Sequence, residues 1–298
     1  MQRKQVDLIG YASALGGPDP GGGDGPLVLK QSPYLADLAT QDILLHWHSL
    51  ITEDLQPNGN KWQQMSRQCE KLAQAVLQLA EAHRFFLVLG GDHSCAIGTW
   101  SGAQQAYAAK GDVGLIWIDA HLDSHTPQTT PSGNIHGMPL ACLLGFGDPA
   151  LTAILSPGPK MKAENVCLVG VRSFEPEEKA LLNQLKVRVF YMDEVKKRGL
   201  SAVLEEAFAI VTRQTVGFGL SLDIDSIDPR DAPGTGVTEL DGIVASELCA
   251  ALPFLAESNG FIGAEIVEFD PHRDREQITE KLIARLIAIL SAGNKMQK

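Results

Sequence analysis

Seven short apolar runs punctuate the chain: VDLIGYA (6–12), FFLVLG (85–90), VGLIWID (113–119), NVCLVGV (165–171), VRVFYM (187–192), VGFGLSLDID (216–225) and FIGAEIVEF (261–269). Runs this short and this apolar read as strands buried on both faces, and they alternate with helical patterns. That alternation predicts a mainly parallel sheet covered by helices on both sides. WQQMSRQCEKLAQAVLQLAEAHR (62–84) sets Met65, Cys69, Leu72, Val76 and Leu79 on one helical stripe, and ITEKLIARLIAIL (278–290) is a second amphipathic helix. No internal repeat, charge block or dividing linker interrupts the 298 residues, so one α/β domain over 1–298 is expected.

Charge narrows the partners. A formal charge of -11 and a pI near 5.2 leave no basic patch for nucleic acid or an anionic membrane surface, which points to a small-molecule substrate. The start MQRKQVDLIGYAS lacks the apolar core of a signal peptide, and no segment approaches the ~18 apolar residues of a membrane span. Cys69, Cys95, Cys142, Cys167 and Cys249 follow no paired spacing and sit among apolar neighbours, the pattern of reduced core thiols in a cytoplasmic protein. The glycine-rich GGPDPGGGDGP (16–26) lacks a phosphate-loop spacing and reads as a series of turns.

The chemistry gathers where the apolar runs stop. VGLIWI runs straight into DAHLDSHTP (119–127), and the two-residue repeat of a strand sends Asp119, His121 and Asp123 to one side, with His125 next in line. The other runs end in the same kind of residue: His93 after FFLVLG, Asp223 and Asp225 after GFGLSL, and Glu268 after FIGAEIV. Open α/β sheets bind ligands at these carboxyl ends. So many ionisable groups in one place are costly unless compensated. His93, Asp119, His121, Asp123, Asp223 and Asp225 suffice for two divalent ions, and this oxygen-dominated, thiolate-free set suits Mn²⁺, with Fe²⁺, Co²⁺, Ni²⁺ and Zn²⁺ also compatible. Two such ions about 3.5 Å apart can share and activate one water, which makes the expected protein a hydrolase.

GGDHS (90–94), DAHLD (119–123), SLDIDSIDP (221–229) and EIVEFDP (265–271) resemble, in order, the four signatures of the ureohydrolase family, which includes arginases and agmatinases. Within that family TPQTTPSGNIHGMPL (126–140) is most similar to the substrate loop of the arginases. The resemblance implies a three-layer αβα fold, two Mn²⁺ ions and hydrolysis of L-arginine to L-ornithine and urea by a metal-bridging hydroxide. It implies His93, Asp119, Asp123 and Asp225 around one ion and Asp119, His121, Asp223 and Asp225 around the other, with Asp119 and Asp225 bridging. Asp123 thereby also counts among the catalytic residues. Glu268 matches the carboxylate that orients the guanidinium, and His136 the proton-shuttling histidine. Ser132 and Asn134 match contacts to the substrate's α-carboxylate, Thr235 a pocket-lining position, and Glu178 an acidic residue at the rim.

Two stretches depart from the pattern. His125 stands where arginases usually carry Asn, and VRSFEPEE (171–178) puts Ser173 and Glu175 in place of the usual aspartates. Recognition of an amino acid is expected to be kept in kind and changed in detail, so another guanidino or formimino amino acid is the alternative substrate. A binuclear phosphoesterase is disfavoured, because there the D-x-H element precedes G-D and here the order is reversed. A catalytically silent relative is disfavoured by the full ligand set. The resemblance implies a homo-trimer or hexamer, although the tail SAGNKMQK (291–298) shows no assembly signal.

Overall fold

The computed structural model describes residues 4–53 and 59–293; most of the tail just named, 294–298, lies outside them. Eight strands form one sheet: β1 Lys4–Ala12, β2 Ile43–Thr52, β3 Phe86–Gly90, β4 Val113–Ile118, β5 Val166–Val171, β6 Arg188–Tyr191, β7 Gly217–Asp223 and β8 Phe261–Val267. Their order is β2-β1-β3-β8-β7-β4-β5-β6, and every neighbouring pair runs parallel. All seven expected runs are strands. β2 was not among them, and the reason is its place at the sheet edge. ILLHWHSLIT mixes exposed and half-buried positions, with His46 and His48 among them, and lacks the continuous apolar character of a central strand.

Successive residues of each strand feed opposite faces. On one face Leu8, Leu87, Ile116, Leu220 and Ala264 pack with Val203, Leu252 and Ile283 from the helices Leu200–Val211, Ala245–Ala256 and Ile278–Leu290. On the other, Ile9, Val88, Leu115 and Trp117 pack with Leu72, Val76 and Trp100 from the helices Lys61–Glu81 and Ala96–Tyr107. The result is the expected three-layer αβα arrangement. Met65, Cys69 and Ile97 form a smaller cluster with Ile135 and Met138, which pins the loop after β4 against the second helical layer. No helix of the described residues is long and apolar enough to cross a membrane.

One glycine shows how tightly the second layer is fitted. A Cβ on Gly219 of β7 would lie 2.1 Å from the Trp100 ring, whose Nε1–H donates to buried Glu265 at 2.6 Å. Gly219→Ala must therefore displace a fully buried indole and stretch its hydrogen bond. The expected outcome is a loss of about 1–3 kcal/mol in stability, read from the midpoint of urea unfolding; an unchanged midpoint would show that Trp100 has room to move.

Candidate metal centre and substrate cavity

β3, β8, β7, β4 and β5 are consecutive in the sheet, so their carboxyl ends share one edge. There the structure brings together His93 after β3, Asp119, His121 and Asp123 after β4, Asp223 and Asp225 at the end of β7, and Glu268 after β8. The four aspartates and His93 are buried and His121 is half-buried.

The donor atoms fall into two groups, each able to hold one ion: His93, Asp119 and Asp223, and Asp119, His121 and Asp225. His93 Nδ1 faces Asp223 Oδ2 at 3.0 Å, Asp123 Oδ2 at 3.1 Å and Asp119 Oδ2 at 3.3 Å. His121 Nδ1 lies 3.0 Å from Asp225 Oδ2 and 3.5 Å from Asp119 Oδ1. His93 Nδ1 is buried with no hydrogen-bond partner among the described residues, although three carboxylate oxygens surround it. An imidazole nitrogen and carboxylate oxygens converging on one point fit a divalent cation.

Asp119 belongs to both groups, with Oδ2 near His93 and Oδ1 near His121. Among the atoms close enough to one another to hold one ion, Asp223 falls with His93 and Asp225 with His121. In the short helical turn Ile224–Ser226, Asp223 Oδ1 accepts the Asp225 N–H at 2.8 Å, and Asp225 Oδ1 accepts the Ala120 N–H at 3.2 Å.

Burial raises the proton affinity of all these carboxylates, and their neighbours then separate them. Burial pushes Asp123 up to about 6, helped by the charge of Asp119. In Asp119 the close imidazoles of His121 and His93 outweigh burial and hold the carboxyl well below its usual range. Burial alone would lower His136, but its hydrogen bond to Glu268 and the charges of Glu268, Asp92 and Asp123 push it up to about 9. Glu268 shows the converse: burial raises it, and His136 together with the His93 N–H brings it below the ordinary value. Two of these residues hold a left-handed backbone that non-glycine residues seldom adopt, Asp123 at φ 47° and Glu268 at φ 64°. For Glu268 the conformation is fixed from two sides, since its N–H donates to Gly91 O at 2.7 Å and its Oε1 accepts the His93 N–H at 2.8 Å.

A cavity of about 180 Å³ opens from this centre, lined by His121, Asp123, Asp225, His136 and Glu268 at one end and by His125, Ser132, Glu175 and Glu178 at the other. His136 Nδ1 lies 3.1 Å from Glu268 Oε1. The two departures from the family pattern touch each other: His125 Nε2 lies 3.1 Å from Glu175 Oε2 and 3.6 Å from Glu178 Oε2, while Nδ1 faces Thr129 Oγ1 at 3.1 Å. Ser173 is half-buried and its N–H donates to Ala120 O at 3.0 Å. Glu178 is buried and spans the start of the Pro176–Leu185 helix, accepting the N–H groups of Ser124 and Glu175 at 3.0 Å each. Burial pushes it up to about 8. Neither Asn134 nor Thr235 lines this cavity. Asn134 N–H donates to Ser132 Oγ at 3.2 Å, and Thr235, bridged to Phe269, lines a separate hollow with Pro229, His272 and Arg273.

Several contributors carry no ligand-like signature in sequence. Trp117 stacks on His93 with ring centroids 4.3 Å apart and donates from Nε1 to Asp119 Oδ2 at 2.8 Å. Ser221 Oγ lies 2.8 Å from His93 Nε2, which leaves Nδ1 for the metal side. Arg172 reaches the carbonyls of Asp225 at 2.7 Å and Glu239 at 2.8 Å and binds the loop after β7 to the end of β5. Only the period-two rule offered a hint, since Trp117 and Ser221 each precede a candidate ligand by two residues on the same strand.

The fold and this centre define a hydrolase acting on carbon–nitrogen bonds of linear amidines. The arginase family model matches residues 4–292, and the chain belongs to the arginase family. An arginase of Bacillus caldovelox is 46% identical over 221 residues, 74% of this chain and 73% of the relative. The crystal structure of an arginase from Bacillus subtilis superimposes with a TM-score of 0.89 at 35% identity, covering 97% of this chain and 99% of that one. A formimidoylglutamase from the same organism shares the fold, with a TM-score of 0.77 at 22% identity over 100% of this chain and 89% of that one.

The grouping of donors yields a graded expectation. Asp119→Asn and Asp225→Asn should each lower activity by well over ~100-fold, with metal analysis showing both equivalents depleted in the first and chiefly one in the second. Near-normal turnover with two bound metals in either variant would overturn the assignment. All five cysteines are buried and free, and Cys95 lies near the centre. Cys95→Ala should lower stability by ~1–2 kcal/mol and leave metal content intact; loss of a metal equivalent from folded protein would make Cys95 a ligand.

Proposed function

We propose that the protein hydrolyses L-arginine to L-ornithine and urea with two Mn²⁺ ions. The observation that carries this reading is the cavity itself, which joins a carboxylate–imidazole centre to a second cluster suited to an amino acid's charged end. His93, Asp119, Asp123 and Asp223 would hold one ion and Asp119, His121 and Asp225 the other; the donor set of carboxylates and imidazoles favours Mn²⁺. When bound, the ions supply Lewis-acid activation of water and offset the carboxylate charge.

The chain's own side chains do the rest. Glu268, ionised and fixed at its backbone, presents acceptor oxygens to the planar guanidinium. His136 stands beside Glu268, whose hydrogen bond and charge raise its proton affinity, and donates a proton to the leaving amine. At the far end Glu175 and Glu178 receive the α-amino group, while Ser132 and the His125 ring take the α-carboxylate. Asn134 acts on this end through Ser132, and Thr235 backs the segment beside Glu268. The five buried thiols suit a cytoplasmic enzyme. Exposed Leu240, Val244 and Phe254 offer apolar surface for a trimer or hexamer.

One observation favours a second reading. His125 and Glu175 are paired with each other, so the end of the cavity differs from the usual one, and another guanidino or formimino amino acid would fit the same chemistry. A substrate panel on Mn²⁺-loaded enzyme separates the two. L-Arginine should exceed agmatine, which lacks the carboxylate, by at least ~100-fold in kcat/KM, because several charge-assisted contacts go unmade. His125→Asn and Glu175→Asp should change KM for arginine far more than kcat. Equal rates on both substrates would remove the arginine reading, and a faster rate on a formimino acid would install its rival.

A further inference from the structure

Asp92 is a buried carboxylate next to His93 that belongs to neither donor group. Its side chain turns towards the glycine-rich segment after β1. Oδ2 accepts the Gly16 N–H at 2.7 Å, and Oδ1 accepts the Ser94 N–H at 2.9 Å together with the Ser94 hydroxyl. Its own N–H donates to Ser13 O at 3.1 Å. The contact continues through the loop, because Gly16 O accepts the N–H of His136 at 3.1 Å. His136 then meets Glu268, and Glu268 is bound to Gly91 and His93 on either side of Asp92. The segment Gly91–His93, Gly16, His136 and Glu268 thus form a closed circuit of hydrogen bonds with Asp92 as its one side-chain link to the loop.

We propose that Asp92 is the positioning residue for His136, acting through Gly16. The inference rests on the proton-transfer role proposed above for His136. Two local features support it. Gly16 cannot carry a side chain where it stands, since a Cβ would lie 2.6 Å from Asp92 Oδ1 and 2.8 Å from Ser94 Oγ. Asp92 also accepts on both oxygens, as a carboxylate does; an amide would turn its NH₂ towards either the Gly16 N–H or the Ser94 donors. The glycine loop, which the sequence offers only as a run of turns, is in this reading the mount of a reacting side chain.

A double-mutant cycle tests it on the Mn²⁺-loaded full chain with arginine as substrate. Asp92→Asn should lower kcat by ~10-fold or more with KM nearly unchanged and both metal equivalents retained. In a His136→Asn background the same change should alter kcat by less than ~2-fold, since the group it positions is gone. Gly16→Ala, which disturbs the same link from the other side, should reproduce both results and decides the matter if Asp92→Asn does not fold. Loss of metal, or an effect of undiminished size in the His136→Asn background, would overturn the positioning role. Full activity of His136→Asn alone would instead remove the proton-transfer role, and with it this inference.

Discussion

Crowding four buried aspartates onto one sheet edge is the constraint on which the rest of the structure depends. Each carboxylate loses water and gains like-charged neighbours, and both effects favour the proton over the charge. The fold answers with directed partners: imidazoles of His93 and His121, N–H groups of Ala120, His121 and Asp225, and the indole N–H of Trp117. These fix individual oxygens without neutralising the set. The charge that remains is what makes the edge a site for cations.

The parallel sheet supplies the means. Because β3, β8, β7, β4 and β5 lie side by side, loops widely separated in the chain emerge at one level. The layer beneath them is as constrained as the donors themselves: Trp100 hydrogen-bonds Glu265, Ser221 orients His93, and Arg172 binds the loop after β7 to the end of β5. The loop carrying Ser132 and His136 is exposed at its tip yet anchored through Ile135 and Met138 in the core. A polar cavity wall thereby rests on apolar packing.

Much of this was legible in the chain, and the failures have common causes. Strands buried on both faces announce themselves by unbroken apolar runs, while edge strand β2 does not. The candidate ligands stood out because ionisable groups at the ends of apolar runs have no local reason to be there. The grouping of their donor atoms did not, since residues two apart on a strand end look equivalent until the turn Ile224–Ser226 sets Asp223 beside His93 and Asp225 beside His121. Glu178 read as a rim carboxylate; it is buried, capping the helix and lining the cavity at once. Asn134 and Thr235 matched a pattern of positions and are not among the residues that line the cavity.

The sequence by itself determined the kinds of groups and their one-dimensional spacing: an α/β chain, acids and imidazoles at the strand ends, and a loop rich in hydrogen-bonding side chains. It did so because burial patterns and period-two alternation are local properties. Only the tertiary structure decided which oxygens meet. The two groups that share Asp119, the hold of the His93 N–H on Glu268, the pairing of His125 with Glu175, and the circuit from Asp92 through Gly16 to His136 each join segments tens to well over a hundred residues apart. Distances of a few ångströms between such segments follow from how layers pack, and packing is settled by the whole core at once.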